Sequence, residues 1–201
     1  MTKKAIIIGA SSGMGKSLSK ILVSKGYKVG ITARRLDLLN KIKSSNNDNY
    51  IVKAFDIADL DNINNNLNAL VRELDGLDLL VFSAGIGGLI PKEMNFDKEK
   101  KSIDTNVMAF TSICVWAYNF FKKQGSGHLV AISSVAGHKG SRGSPSYSAS
   151  KAFQINYIES LWHRAYYEKI NISITDIRPG FVDTAMAKGD FIFWMANADT
   201  A

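Results

Sequence analysis

The sequence predicts an α/β fold: a doubly wound parallel sheet with helices on both faces, in three layers, α/β/α. Three observations predict it. Short β-branched runs alternate with amphipathic helical stretches along the chain, and such alternation pairs strands in parallel through right-handed crossovers. A glycine-rich turn stands at the first strand–helix junction. No repeat or linker divides the 201 residues, so residues 1–201 are expected to form one domain around one core.

The elements follow in order. Lys4 to Gly9 is a short apolar run and reads as a buried parallel strand. The helix near Met14–Lys25 puts Leu18, Ile21 and Leu22 on one face, and Gly26 ends it. Tyr27–Ala33 is a second strand, Arg35–Ser44 a helix, Asn46–Asn49 a polar turn and Tyr50–Phe55 a third strand. Asp59–Leu74 is a helix with Asp59 or Asp61 as its cap. Leu77–Ser83 is a fourth strand. Lys98–Lys123 is one long helix closed by Gly125-Ser126-Gly127, and His128–Ser133 is a fifth strand. Residues 135–146 form a Gly/Ser/Pro-rich loop before a second long helix, Tyr147–Lys169, and a sixth strand, Asn171–Ile177.

Composition narrows the function classes. The hydrophobic and charged fractions, 46% and 21%, are those of a soluble globular protein. The single cysteine, Cys114, permits no intrachain disulfide and sits in an apolar run that suits packing. The N-terminal apolar run is too short for a signal peptide, and no run approaches the roughly 18 apolar residues of a membrane span. A cytoplasmic location is expected. The net charge is +7, yet the cations are scattered, so no nucleic-acid partner is expected. Solvated helix faces and a phosphate-bearing ligand account for them.

Gly9-Ala10-Ser11-Ser12-Gly13-Met14-Gly15 lies between the first strand and the first helix. Small residues let the backbone approach a pyrophosphate, and helix N-terminal amides favour its charge. The spacing is G-x-x-x-G-x-G rather than the commoner G-x-G-x-x-G. A carboxylate at the end of the second strand would accept from the ribose hydroxyls of NAD. The chain reads Ile31-Thr32-Ala33-Arg34-Arg35 there. Arg34, with Ser12 and Arg35 nearby, suits a 2′-phosphate, so NADP(H) is expected in preference to NAD(H).

Tyr147 and Lys151 stand four apart in Ser-Pro-Ser-Tyr-Ser-Ala-Ser-Lys, thirteen residues after Ser134. On a helix they share one face. A neighbouring cation lowers a phenol's pKa; a shift of about 2–3 units takes roughly 3–4 kcal/mol, which a lysine plus a bound cationic nicotinamide would supply. The pair points to proton transfer at an oxygen.

With these residues in place, the chain resembles the classical short-chain dehydrogenase/reductases along nearly its whole length. The marks come in family order: the Gly9–Gly15 turn, Asp56, Ser83-Ala84-Gly85, Asn106, Ser134, Tyr147, Lys151, and Pro179-Gly180 followed by Thr184. The resemblance implies a Rossmann-like NAD(P)-binding domain that moves hydride between nicotinamide and a carbonyl or alcohol substrate. In that reading Tyr147 is the general acid/base and Lys151 lowers its pKa and binds the nicotinamide ribose. Ser134 bonds the substrate oxygen, and Asn106 holds a water linking the lysine to solvent. Asp56 and Ile57 lie at the adenine. Pro179, Gly180 and Val182 pass the nicotinamide, and Thr184 touches its amide or phosphate side. A homodimer or homotetramer is expected, with Tyr157, Leu161 and Trp162 as candidate interface residues that would serve equally well as core residues.

Two departures stand out. Family members usually have Asn-Asn-Ala-Gly after the fourth strand; this chain has Phe82-Ser83-Ala84-Gly85, and Ser83 has less reach than Asn. The family also continues with a further strand and helix after the sixth strand. This chain ends at Ala201, after an aromatic stretch that includes Phe191, so the last strand is expected to be missing and the sixth strand to be an exposed edge. That region motivates the alternative, a non-catalytic NADP-binding scaffold or regulator. Leu89, Ile90 and Phe191 suggest a partly hydrophobic substrate, with His138 near it. His128 and His163 read as structural. No cluster has metal-ligand spacing, so no metal is expected.

Overall fold

The structure, a computed structural model, describes residues 2–44, 47–87, 93–141, 145–183 and 196–199. Strands β1 (Lys4–Ile8), β2 (Lys28–Ala33), β3 (Tyr50–Ala54), β4 (Leu79–Phe82), β5 (Gly127–Ile132) and β6 (Ile172–Ile177) form one sheet. Their order is β3-β2-β1-β4-β5-β6, and every pairing is parallel. The connecting helices are α1 (Gly13–Ser24), α2 (Leu36–Lys43), α3 (Leu60–Leu74), α4 (Phe96–Ile103), α5 (Phe110–Gln124) and α6 (Pro145–Tyr167).

The pleat explains why the strands read as continuous apolar runs. Along β1, Ala5 and Ile7 pack with Leu22, Val29, Ile31 and Leu39, toward α1 and α2. Ile6 and Ile8 face the other way, into Leu67, Leu70, Phe82, Phe110 and Leu129, toward α3, α5 and α6. Successive side chains thus enter opposite cores, and a strand covered on both faces needs apolar residues at every position.

Some boundaries differ from those read in the sequence. The stretch expected as one helix over 98–123 is α4 and α5 joined by a π-helical turn, Asp104–Ala109. Helix α6 starts at Pro145 rather than Tyr147, in keeping with proline's fitness for a first helical turn. The loop expected over 135–146 contains a 3-10 turn, Val135–His138. Asp59 does hold the cap position of α3, but its carboxylate accepts from the Asn62 side chain (2.7 Å) instead of a helix amide.

Among the described residues β6 is the outer strand of the sheet, with Ile172 buried and Ile177 exposed. Two short strands, β7 (Val182–Asp183) and β8 (Ala196–Asn197), pair separately. No helix among the described residues is long and apolar enough to cross a membrane.

Gly127 opens β5 against the ring of Phe121, which is fully buried. A Cβ there would overlap the ring, which has no room to swing aside. Gly127→Ala is expected to destabilise the fold by about 1–3 kcal/mol, as overpacking does. Urea unfolding measures this; an unchanged midpoint would contradict the packing.

Candidate active site

In a parallel sheet all strands end on the same side. The strand order reverses between β1 and β4, which opens a crevice beyond their carboxyl ends. Gly9 turns the chain there with φ +89°, and a Cβ on it would lie 2.7 Å from Ala84 Cα. Only glycine allows that approach and that φ together. The Gly9 and Ala10 amides donate to Thr32 O (2.9 and 3.0 Å), tying the turn to β2. Ser12 is extended, and α1 begins at Gly13, so the first amides of the helix have no acceptor within it.

One cleft of about 270 Å³ gathers twelve of the sequence-selected residues: Gly9, Ser11, Ser12, Gly13, Met14, Arg34, Arg35, Asp56, Ile57, Ser83, Ala84 and Gly85. Phe55, Ile86 and Thr105 also line it and were not read from the sequence. Gly15 does not line it; it lets α1 pack on the turn, since a Cβ would fall 2.5 Å from Gly9 O. Arg35 Nη2 donates to Ser11 Oγ (3.1 Å) and Ser12 Oγ (3.5 Å). Arg34 Nη1 lies 3.9 Å from Asp56 Oδ2, an exposed and therefore weak pair. Helix-start amides and two guanidiniums beside a turn with no room for a Cβ at Gly9 fit a phosphate-bearing ligand.

The second half of the site forms where β5 ends and α6 begins. Ser134 Oγ accepts the Ala136 amide (3.1 Å) and donates to Pro179 O (3.4 Å). Ser133 instead donates to Asp176 Oδ1 on β6 (2.5 Å), which leaves Ser134 as the serine beside Tyr147. Tyr147 lies against Gly87, where a Cβ would sit 2.5 Å from the ring. Lys151 is 4% exposed, and its Nζ donates to Ile132 O (3.0 Å) and Gln154 Oε1 (2.9 Å). That Nζ lies 5.7 Å from the centre of the Tyr147 ring.

Burial sets the electrostatics. It lowers Lys151 to about 8, opposed by the charge of Asp176. Burial also raises the Tyr147 phenol above its ordinary value, opposed by the Ser134 hydroxyl. In the protein by itself the phenol is thus raised, whereas the sequence reading has it lowered by the lysine together with a cationic nicotinamide. The ammonium is engaged by a backbone carbonyl and an amide, and the phenol's loss of hydration outweighs its bond to Ser134.

Asn106 is fully buried within the π-helical turn. Its Oδ1 accepts the Ile86 amide (2.8 Å), and its Nδ2 donates to Ile86 O (2.8 Å), Ser150 Oγ (3.0 Å) and Ser102 Oγ (3.2 Å). The direct link from its carbonyl toward Lys151 runs through Gln154, whose Nε2 donates to Asn106 O (2.8 Å). Gln154 was missed in the sequence. Its signal was a polar stripe at helical spacing: Tyr147, Ser150, Lys151, Gln154.

The other selected residues divide. Pro179 accepts the Val135 amide through its carbonyl (3.1 Å), Gly180 has open space where a Cβ would be, and Val182 is buried in β7. Thr184, Leu89, Ile90 and Phe191 lie outside the described residues. His138 lines a separate hollow with Lys139 and Ser148. His128 bonds Thr175 Oγ1 (2.9 Å), and His163 meets Trp162 edge-on. No metal-ligand group occurs among the described residues. Leu161 packs into the core, and Tyr157 packs between Phe110 and Phe153, so of the three expected interface residues Trp162 alone is half-exposed.

Comparison with known proteins adds to this geometry. The family model for short chain dehydrogenase matches residues 3–191. An uncharacterized oxidoreductase of Mycobacterium tuberculosis is 34% identical over 191 residues, covering 92% of this chain and 75% of that protein. The closed form of serine dehydrogenase, complexed with NADP+, superposes with a TM-score of 0.86 at 26% identity, covering 92% of this chain and 75% of that one. A short chain dehydrogenase/reductase from Burkholderia phymatum in complex with NAD shares the fold, with a TM-score of 0.86 at 23% identity over 92% of this chain and 68% of that one.

The buried lysine has a consequence for stability. Its folded value, about 8, lies below its unfolded value near 10.5. Between the two, the unfolded chain binds more protons, so stability rises with pH. Relative to Lys151→Met, the wild type is expected to gain about 3 kcal/mol between pH 8 and pH 10.5. Urea unfolding of both proteins across that range measures it; a constant difference would contradict the burial of the charge.

Proposed function

Because the chain belongs to the short chain dehydrogenase family, a family of oxidoreductases, we propose that it is an NADP(H)-dependent enzyme acting on a carbonyl/alcohol pair, with Tyr147 as its general acid/base. The observation that carries this reading is the meeting of Ser134, Tyr147 and Lys151 beside the cleft, the lysine buried behind the phenol.

The residues divide the work. Gly9, Ser11, Ser12, Gly13 and Met14 hold the pyrophosphate, with Gly15 letting the helix approach. Asp56 and Ile57 bound the adenine, and Ser83, Ala84 and Gly85 line the path to the nicotinamide. Pro179, Gly180, Val182 and Thr184 complete that side. The nicotinamide cofactor supplies or takes up the hydride when bound. Tyr147 gives its proton to the substrate oxygen in reduction and recovers one in oxidation. Ser134 donates a hydrogen bond to the same oxygen as charge develops on it. Lys151 keeps a positive charge near the phenol and binds the ribose, while Asn106 fixes the loop after β4 through Ile86. Where NAD sites carry a carboxylate at the end of β2, Arg34 and Arg35 stand, which supports the choice of NADP(H). The half-exposed Trp162, stacked on Tyr166, belongs to the surface through which a homodimer or homotetramer would form.

Cofactor oxidation with a panel of carbonyl compounds tests the reading, with NADPH and NADH compared side by side. Turnover is expected, and Tyr147→Phe is expected to lose about 10²–10⁴-fold. Full turnover in that variant would end the assignment. Tight cofactor binding with no turnover on any carbonyl would favour the non-catalytic scaffold. In the same assay, Arg34→Ala with Arg35→Ala is expected to raise KM for NADPH about tenfold or more while leaving that for NADH nearly unchanged. Equal effects on both would refute the selector role.

A further inference from the structure

Gln154 is a long polar side chain with no exposed surface, set between α6 and the π-helical turn. A carboxamide buried this deeply costs stability unless both of its ends are bonded. Both are: Oε1 accepts from Lys151 Nζ at 2.9 Å, and Nε2 donates to Asn106 O at 2.8 Å. The second bond fixes the first, because a flipped amide would set Nε2 against an ammonium and Oε1 against a carbonyl. Lys151 therefore meets an oxygen held in one direction. Ile132 O takes a second of its three N–H groups. Gly85, which lines the cleft, is a neighbour of the ammonium: a Cβ there would lie 3.7 Å from Nζ.

We propose that Gln154 is a positioning residue for Lys151: its carboxamide, anchored on the Asn106 carbonyl, aims the ammonium toward the cleft and stabilises its charged form. The charged and titratable groups around Lys151 leave room for this role. Tyr147 faces it from α6, and Asp176 acts on it from β6, where it is paired with Arg178 (2.6 Å) and Ser133. The π-helical turn contributes the uncharged Asn106, β5 a carbonyl, and the loop after β4 the uncharged Gly85. Gln154 is thus the side-chain acceptor that touches the ammonium directly. An amide is neither acid nor base near neutral pH, so it orients the lysine without passing protons from it. The effect on turnover rests on Tyr147 as the acid; the effect on Lys151 does not.

Two substitutions of similar size give opposite signs. Gln154→Met removes the acceptor, and Gln154→Glu puts a carboxylate against the ammonium. The Lys151 titration is read by NMR on the whole chain with ¹³Cε-labelled lysine, assigned with Lys151→Met, in the absence of cofactor. Its midpoint is expected to fall by about one unit or more in Gln154→Met and to rise by about one unit or more in Gln154→Glu. The pH profile of carbonyl reduction is expected to move in the same two directions. In the unmodified protein the Gln154 Nε2 resonance is expected to titrate with the Lys151 midpoint, which keeps the test open if a variant does not fold. Unmoved midpoints in both variants, or a Gln154 amide that stays flat through the Lys151 titration, would overturn the proposal. Shifted midpoints alongside full turnover in Tyr147→Phe would uphold the Gln154 role and end the acid/base reading instead.

Discussion

A charged amine has to be kept inside the protein, and much of the site is arranged to keep it there. Lys151 is almost wholly buried, and an isolated ammonium in that position would deprotonate or pull the helix open. Its bonds reach the end of β5 and the side chain three residues on. Through Gln154 they also reach the π-helical turn between α4 and α5. One amine therefore couples the sheet, α6 and the opposite helix pair. The chain tolerates the cost of burial where it gains a fixed positive charge beside the phenol.

The cleft rests on a different constraint, the space between β1 and β4. Gly9 presses on Ala84, and Gly15 presses on Gly9, so two residues without side chains set how closely the first helix, the first turn and the loop after β4 approach. The guanidiniums of Arg34 and Arg35 then close the cleft from the end of β2. Backbone supplies the floor of this half of the site, and side chains supply the other half. The division follows from where parallel strands end: their following loops meet at the same edge of the sheet.

Much of this was legible in the sequence, for reasons specific to each residue. The run Ile6-Ile7-Ile8 announced a strand covered on both faces, and the two cores on either side of β1 account for it. Glycines at 9, 13 and 15 announced a turn that no other residue type permits. Other features had no local signature. Asp104–Ala109 has an ordinary helical composition, and its π-helical form shows only in three dimensions, where Asn106 bonds Ile86 and Ser150 from outside its own helix. The Tyr147 phenol depends on how deeply it is buried, which spacing along a helix does not reveal. For Leu161 and Tyr157 helical spacing left interface and core both open, and the turn of α6 sends them inward. The start of α6 at Pro145 is legible in the sequence as well, since proline suits a first helical turn.

The clasp between Asn106 and Ile86 has a consequence of its own. A carboxamide offers one acceptor and one donor in the same plane as a peptide group. By bonding both the N–H and the C=O of Ile86, Asn106 acts as a one-residue strand borrowed from a helix, extending the pairing beyond the end of β4. The direction of the chain as it leaves β4 is thereby fixed from a neighbouring helix. Loss of the Asn106 carboxamide would thus free backbone that lines the cleft, and not only a side chain.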